Sequence, residues 1–424
     1  MNAITPVGVN ASAFLDRGAV DAGVKQRTAA DFLRHAGLPR AGVEAWKYTS
    51  LRALADVPFA TAQRDVDGAT VDTLLAEVET ISGLGAGADR VVFVNGYFDA
   101  ARSRLPKGVK VSTLARSGAV QDDIDPAGDV TTALNTVMAR DGLVLVVPEG
   151  VDAGCLLLAS IGLTAEDAPV SFHPRHHIRV EKGGRLAVLD AAVGQGYYLH
   201  NPLYDIVVAD DAYLSHARIQ AEDRQALHLA VSHARIAAAG VYDSFTLTLG
   251  GSLSRHEVHA ALTQAGGSVH VNGAQLLMGR QHGDLSSVIT HAAPECISRQ
   301  TVKNVLSDQA RGVFQGKILV DRIAQKTDGY QMNQALLLSD GAEIDAKPEL
   351  EIYADDVKCS HGATVGALDD DQLFYLRSRG ISGEAARSIL IRAFLHDVVD
   401  QIDDQRLKDS LNLAVEAWWK REAA

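Results

Sequence analysis

The sequence predicts a mainly β protein: a right-handed parallel β-helix core flanked by an N-terminal α-helical or mixed part and a C-terminal α-helical part. Three observations predict it. From about Gly150 to Gly366 helical spacing gives way to short runs that alternate apolar and polar residues. Glycine-rich turn elements punctuate those runs. Aromatic residues make up only 5% of the chain, against 37 glycines, a composition suited to thin stacked coils rather than to one bulky centre. At 424 residues the chain exceeds what a single core usually serves. It divides into 1–149, 150–367 and 368–424.

The N-terminal part opens with a periodic run through Phe32 and Leu33 that stops at Gly37 and Pro39. After Trp46–Leu51, the residues Val71, Leu74, Leu75 and Val78 fall at helical spacing. Val91–Val94 reads as a strand ended by the Asn95-Gly96 turn. A helix follows over Val130–Arg140 with Leu134, Val137 and Met138 inward. Asp141-Gly142 ends it, and Leu143–Val147 is a buried strand closed by Pro148.

In the middle part, period-two sets appear at Ile178 and Val180, Leu186 and Val188, Leu227–Val231, Phe245–Leu249, Val269 and Val271, and Ile318 and Val320. Each set is expected to face the interior. Gly183-Gly184, Gly250-Gly251 and Gly266-Gly267 open similar pieces at irregular spacing, which suggests a repeat. A solenoid exposes its first and last coils, and the two helical parts are expected to cover them. At the C-terminus, Leu373 and Leu376 mark a helix stopped at Arg379-Gly380, and Ser382 caps the next. That helix carries the stripe Ile389, Leu390, Phe394, Leu395, Val398 and Val399, which reads first as domain core and second as a partner surface. The adjacent Trp418 and Trp419 favour the partner side of that balance.

Composition excludes several functions. With 40 Lys+Arg against 53 Asp+Glu the formal charge is -13, which opposes nucleic-acid binding. No apolar run approaches the roughly 18 residues of a membrane helix, and Met1–Ala11 lacks the pattern of a secretory signal. Cys155, Cys296 and Cys359 are scattered and odd in number, so a reducing, cytoplasmic setting is expected.

Most motif-like stretches fail on context. Gly83–Ala88 matches a dinucleotide pattern, but a helix leads in and a strand leads out. Gly312–Lys317 is one residue short of a phosphate loop. His256 and His259 stand three apart in a strand, where a zinc-protease helix needs four. Pro174 and Arg175 interrupt any regular geometry of His173, His176 and His177, and a partly buried or surface side chain is the better reading for all five. One stretch is stronger. Asp355–Gly362 sets Cys359 and His361 two apart, which on a strand sends both to one face. A thiolate and an imidazole suit iron or zinc, and the neighbouring Lys358 is expected to lower the thiol pKa. Two ligands leave a site incomplete, so others must come from elsewhere, a second chain included.

The run from Lys347 through Tyr353 and Cys359-Ser360-His361-Gly362 to Thr364 resembles the signature of the SufB/SufD family of the SUF iron–sulfur cluster assembly system. Leu373–Ile381, Arg140–Gly150, Asn95–Phe98 and Trp46–Leu51 extend the likeness over nearly the whole chain from Trp46. SufB-type chains are expected to carry a sulfur-accepting cysteine within the segment matching Asn333–Leu338. This chain has none there, which favours the SufD type.

The resemblance implies a non-enzymatic scaffold that assembles with SufB through the β-helix and with the ATPase SufC through the C-terminal helices, at Ile389, Phe394, Leu395 and Val398. A transient iron–sulfur cluster would form at the SufB–SufD interface, with His361 as metal ligand and Cys359 as the weaker one. Iron would be acquired there, and ATP would enter only through SufC. The sequence leaves open whether the chain pairs with itself when SufB is absent. The alternatives are a β-helix carbohydrate lyase or esterase, and a stand-alone metalloenzyme built on the histidine-rich strands.

Overall fold

The computed structural model describes residues 11–422, apart from 21, 40–42, 56, 86, 119 and 165–167. Residues 1–10, read above for a signal, and Ala86 of the 83–88 run lie outside them. From Leu203 to Gly366 strands fall alternately into two sheets, and each but the last two pairs in parallel with the strand two further along. Successive coils therefore stack into a β-solenoid of about 8 turns. The repeat is 29 residues where Gln275 lies beside Asn304.

Two strands before residue 150 join the same sheets. Leu143–Val147 pairs in parallel with Arg175–Val180, and Arg90–Val94 with Asp152–Leu163. Lys110–Thr113 and Tyr97–Phe98 then close the two sheets as antiparallel neighbours. The hairpin at Asn95-Gly96 has φ of 50° and 78° at its two residues, the paired positive angles that a tight two-residue turn demands.

Between the sheets, rows of small and branched residues stack from coil to coil. Ile178, Ile206, Ala234, Ala260, Ile289 and Ile318 occupy one such row and are all buried. Each fully buried isoleucine contributes about 2 kcal/mol.

Two expectations need correction. First, not every alternating set faces that interior. Phe245, Leu247 and Leu249 pack outward, beneath the helices Gly68–Ser82, Gly383–Val399 and Gln405–Glu422. Leu227 and Leu229 lie likewise under Val24–Ala36 and Val130–Met138. Both faces of these sheet regions are covered, so apolar residues serve either side and period two cannot tell them apart. Second, the C-terminal helices do not cover the last coil. Gly383–Val399 lies along the outer face of the strands Ser268–Leu277 and Ile297–Leu306, on the flank of the solenoid.

Helix ends follow their chemistry. Ser382 Oγ accepts the Ala385 N–H at 3.2 Å, and Asp129 accepts that of Thr132 at 2.7 Å. Gly37 and Gly83 close their helices with positive φ. Among the described residues no helix is long and apolar enough to cross a membrane.

Candidate functional site

The last coil is built from Glu343–Ile352 and Lys358–Gly366. The turn between them stacks on the preceding one: Lys326 N–H donates to the Asp356 carbonyl at 2.6 Å, and Gln325 Oε1 accepts the Asp356 N–H at 2.9 Å. Register then follows. Lys358 pairs with Asp328, Cys359 with Gly329 and His361 with Gln331. Lys358–Gly366 ends the ten-stranded sheet and Glu343–Ile352 ends the other, so each has a pairing strand on one side only among the described residues. Two strand edges with free backbone groups form a template for another chain.

His361 sits on that edge, exposed to solvent. Cys359 shares its face but is half-buried, packed beside Ile318, Val320, Leu350 and Val357. Burial pushes the Cys359 thiol up, and the nearby Asp328 carboxylate adds to the effect against a backbone N–H of Gly329. Lys358 was expected to lower it. That is corrected: adjacent residues on a strand point to opposite faces, and burial decides the outcome. The site therefore presents an open imidazole and a thiol held in its protonated form.

The exposed apolar side chains around the coil are Ile352, Tyr353 and Val365, with Leu338 on the coil before. Beyond them, Asp370–Ser378 buries no residue and leaves Phe374 74% exposed. A groove of about 1410 Å³ runs between this helix and the solenoid, lined in part by Leu338, Phe374, Arg377, Arg387 and Trp419.

The apolar stripe of Gly383–Val399 splits. Ile389 is 37% exposed, whereas Leu395 and Val398 are at 1% and 0%. Phe394 is half-buried, its ring under the Lys303 ammonium at 4.5 Å, and that ammonium pairs with Asp397 at 2.5 Å. The expectation that Leu395 and Val398 form a docking face is thus corrected. They join this helix to the solenoid, and Trp418 lies in the same core.

The histidine-rich strands are structural. His176 Nδ1 accepts the Leu143 N–H at 3.0 Å and its ring lies 5.0 Å from that of Tyr204. His256 bridges Ser232 and Thr246 at 3.0 and 2.8 Å. Burial pushes His173 and His176 down to about 3, so both are neutral.

Sequence reasoning missed two clusters, because coiling brings together residues whose spacing carries no signal. His200, Glu222 and His228 meet inside the solenoid. Both imidazoles contact the Glu222 carboxylate through Nδ1, at 2.9 and 2.6 Å, and Gln220 Nε2 donates to it at 3.0 Å. Burial alone would raise the Glu222 carboxyl, but His228 and His200 outweigh it and hold it well below the usual range. Arg218 donates to His228 Nε2 at 3.2 Å, which leaves Nδ1 of that ring to carry the proton and donate it to Glu222. Asp122, His177 and Asp205 also converge, but Lys25 and Arg175 pair with Asp122, and Arg235 with Asp205 at 3.0 Å. Cations already balance that set.

Residues 163–394 match the family described as "SUF system FeS cluster assembly, SufBD core domain", and residues 11–156 match "SufBD protein N-terminal region". The chain is 32% identical over 386 residues to the iron-sulfur cluster assembly protein SufD of Escherichia coli, covering 89% of each chain. It is 30% identical over 412 residues to an iron-sulfur cluster assembly SufBD family protein of Synechocystis, covering 92% of this chain and 90% of the relative. Protein ABCI7, chloroplastic, of Arabidopsis thaliana is 34% identical over 293 residues, or 67% of this chain and 62% of the relative.

Proposed function

The chain belongs to the SufBD family of iron–sulfur cluster assembly proteins, and on that premise we propose that it is a non-enzymatic, SufD-type scaffold whose last coil supplies half of a cluster-assembly site. A SufB chain supplies the other half by pairing along the open strand edges. The nascent iron–sulfur cluster is cargo, and so is the iron. His361 ligates it as an exposed imidazole. Cys359 contributes less, because burial keeps its thiol protonated.

The ATPase partner SufC docks on the C-terminal helices at the side chains that remain available, Ile389 and the exposed edge of Phe394, next to the groove beside Phe374. ATP acts only through that partner. The reading divides the chain into the 1–149, 150–367 and 368–424 domains and sets the assembly in the cytoplasm.

One observation carries the reading: His361 stands in the open on the coil beyond which no described strand pairs. Affinity purification of the full chain from native lysate tests it. Stoichiometric recovery of SufB and SufC is expected. A chain recovered alone under low salt, with neither partner added back binding to it, would refute it.

A further inference from the structure

We propose that Gln331 is a positioning residue for the His361 imidazole, holding the ring nitrogen that does not face the metal; this rests on the ligand role proposed for His361. Three observations lead there. Gln300, Gln331 and His361 occupy one register position on three consecutive parallel strands. Such strands lie about 4.8 Å apart, so the side chains stack in a row. The row ends at the exposed coil with His361.

Gln331 is fully buried, yet neither its Oε1 nor its Nε2 has a hydrogen-bond partner among the described residues. Buried amides are nearly always satisfied, and one kept unsatisfied calls for a reason. Its neighbours in the row and beside it are also amides: Gln300 Nε2 and Asn333 Nδ2 are buried and unpartnered too, while Gln300 Oε1 accepts from Ser287 Oγ at 2.5 Å.

Across the interior the opposing sheet offers Gln331 nothing. The facing residue is Gly316, where a Cβ would come within 2.9 Å of Gln331 Oε1 and 2.6 Å of Phe314 Cζ. Gly316 thus leaves room for the glutamine without bonding it. Its partner in the last coil is Pro348, which has no N–H to donate. The next polar group along the row is the His361 ring. A histidine ligand needs its second nitrogen fixed, because that bond sets the tautomer and the ring orientation. The Gln331 amide bonds neither the ring nor any other described residue here and is closed to water; rotation about its side-chain torsions towards the ring makes it such a partner, from a strand paired on both sides.

The sign of a stability change separates this role from a merely structural one. Replacing an unpartnered amide by an apolar side chain of similar size leaves stability unchanged or raises it, whereas removing a structural amide lowers it.

The test uses the full chain, alone and with its partners, as parent, Gln331→Leu, Gln331→Met and His361→Ala. Nitrogen-15 histidine NMR of the iron-free chain is expected to show one dominant His361 tautomer in the parent and a mixture in both glutamine variants, with thermal stability equal or higher. Ferrous iron affinity of the assembled complex is expected to fall about 10-fold or more in both. Parent-like tautomer and affinity in folded variants would overturn the proposal, and so would unfolding of both variants. His361→Ala separates the two claims: undiminished iron affinity there refutes the ligand role, whereas the tautomer measured without iron judges Gln331 alone.

Discussion

Leu395→Ala and Ile389→Ala differ by six residues on one helix and are expected to fail in opposite ways. Leu395 is 1% exposed within the core shared by three helices and the ten-stranded sheet. Truncation removes three carbon atoms whose burial is worth ~0.8 kcal/mol each, or ~2.4 kcal/mol. The cavity left among rigid neighbours adds to that, and such changes cost about 3–5 kcal/mol in total. Ile389 is 37% exposed, so the same three carbons lose only about 1.5 kcal/mol of burial and solvent fills the gap. Urea denaturation followed by tryptophan fluorescence reads both, since Trp418 belongs to the same core. Co-purification with SufC reads the other half. Leu395→Ala should lower the urea midpoint strongly, and Ile389→Ala should lower it about half as much or less while weakening SufC binding. Equal destabilisation, or a Leu395→Ala cost under about 1 kcal/mol, would refute the division of this helix into core and docking faces.

Other expectations follow from single contacts. Arg255 is fully buried between Glu257 and Asp284 and stacks on the Trp46 ring at 4.1 Å; Arg255→Met should cost ~3–5 kcal/mol by stranding two buried carboxylates, seen as a lower urea midpoint and a shifted Trp46 emission. His173, His176 and His233 are pushed down to about 3, chiefly by burial. The folded chain therefore refuses protons that the unfolded chain accepts below ~6.5, and stability should fall steadily as pH drops from that value towards 3; a flat urea midpoint between pH 7 and 4.5 would contradict this. Val365→Asp, at an exposed position on the open edge, should abolish SufB binding while moving stability by less than ~0.5 kcal/mol.

Much of this molecule can be read from its sequence because local chemistry and fold agree. Ser382 caps the helix it precedes, Asn95-Gly96 makes a hairpin, and Leu143–Val147 spans the strand its composition announces. Legibility ends where a residue's role depends on what lies across the fold. Phe245 and Ile206 obey the same alternation, yet one faces helices and the other the solenoid interior. Leu395 and Ile389 belong to one apolar stripe, and only the docking of the helix on the sheet separates them. His200 and Glu222 are 22 residues apart and touch because a coil returns the chain to that level. His361 was visible through its Cys-x-His spacing, but its exposure depends on where the C-terminal helices settle, and they settle on the flank.

Cluster content after anaerobic reconstitution of the assembled complex, compared between the parent chain and His361→Ala, bears most directly on the account. The variant should assemble with both partners and hold far less iron and sulfide than the parent, with Cys359→Ser in between. A His361→Ala complex that fills to the parental level would show that the open edge of the last coil serves some other end.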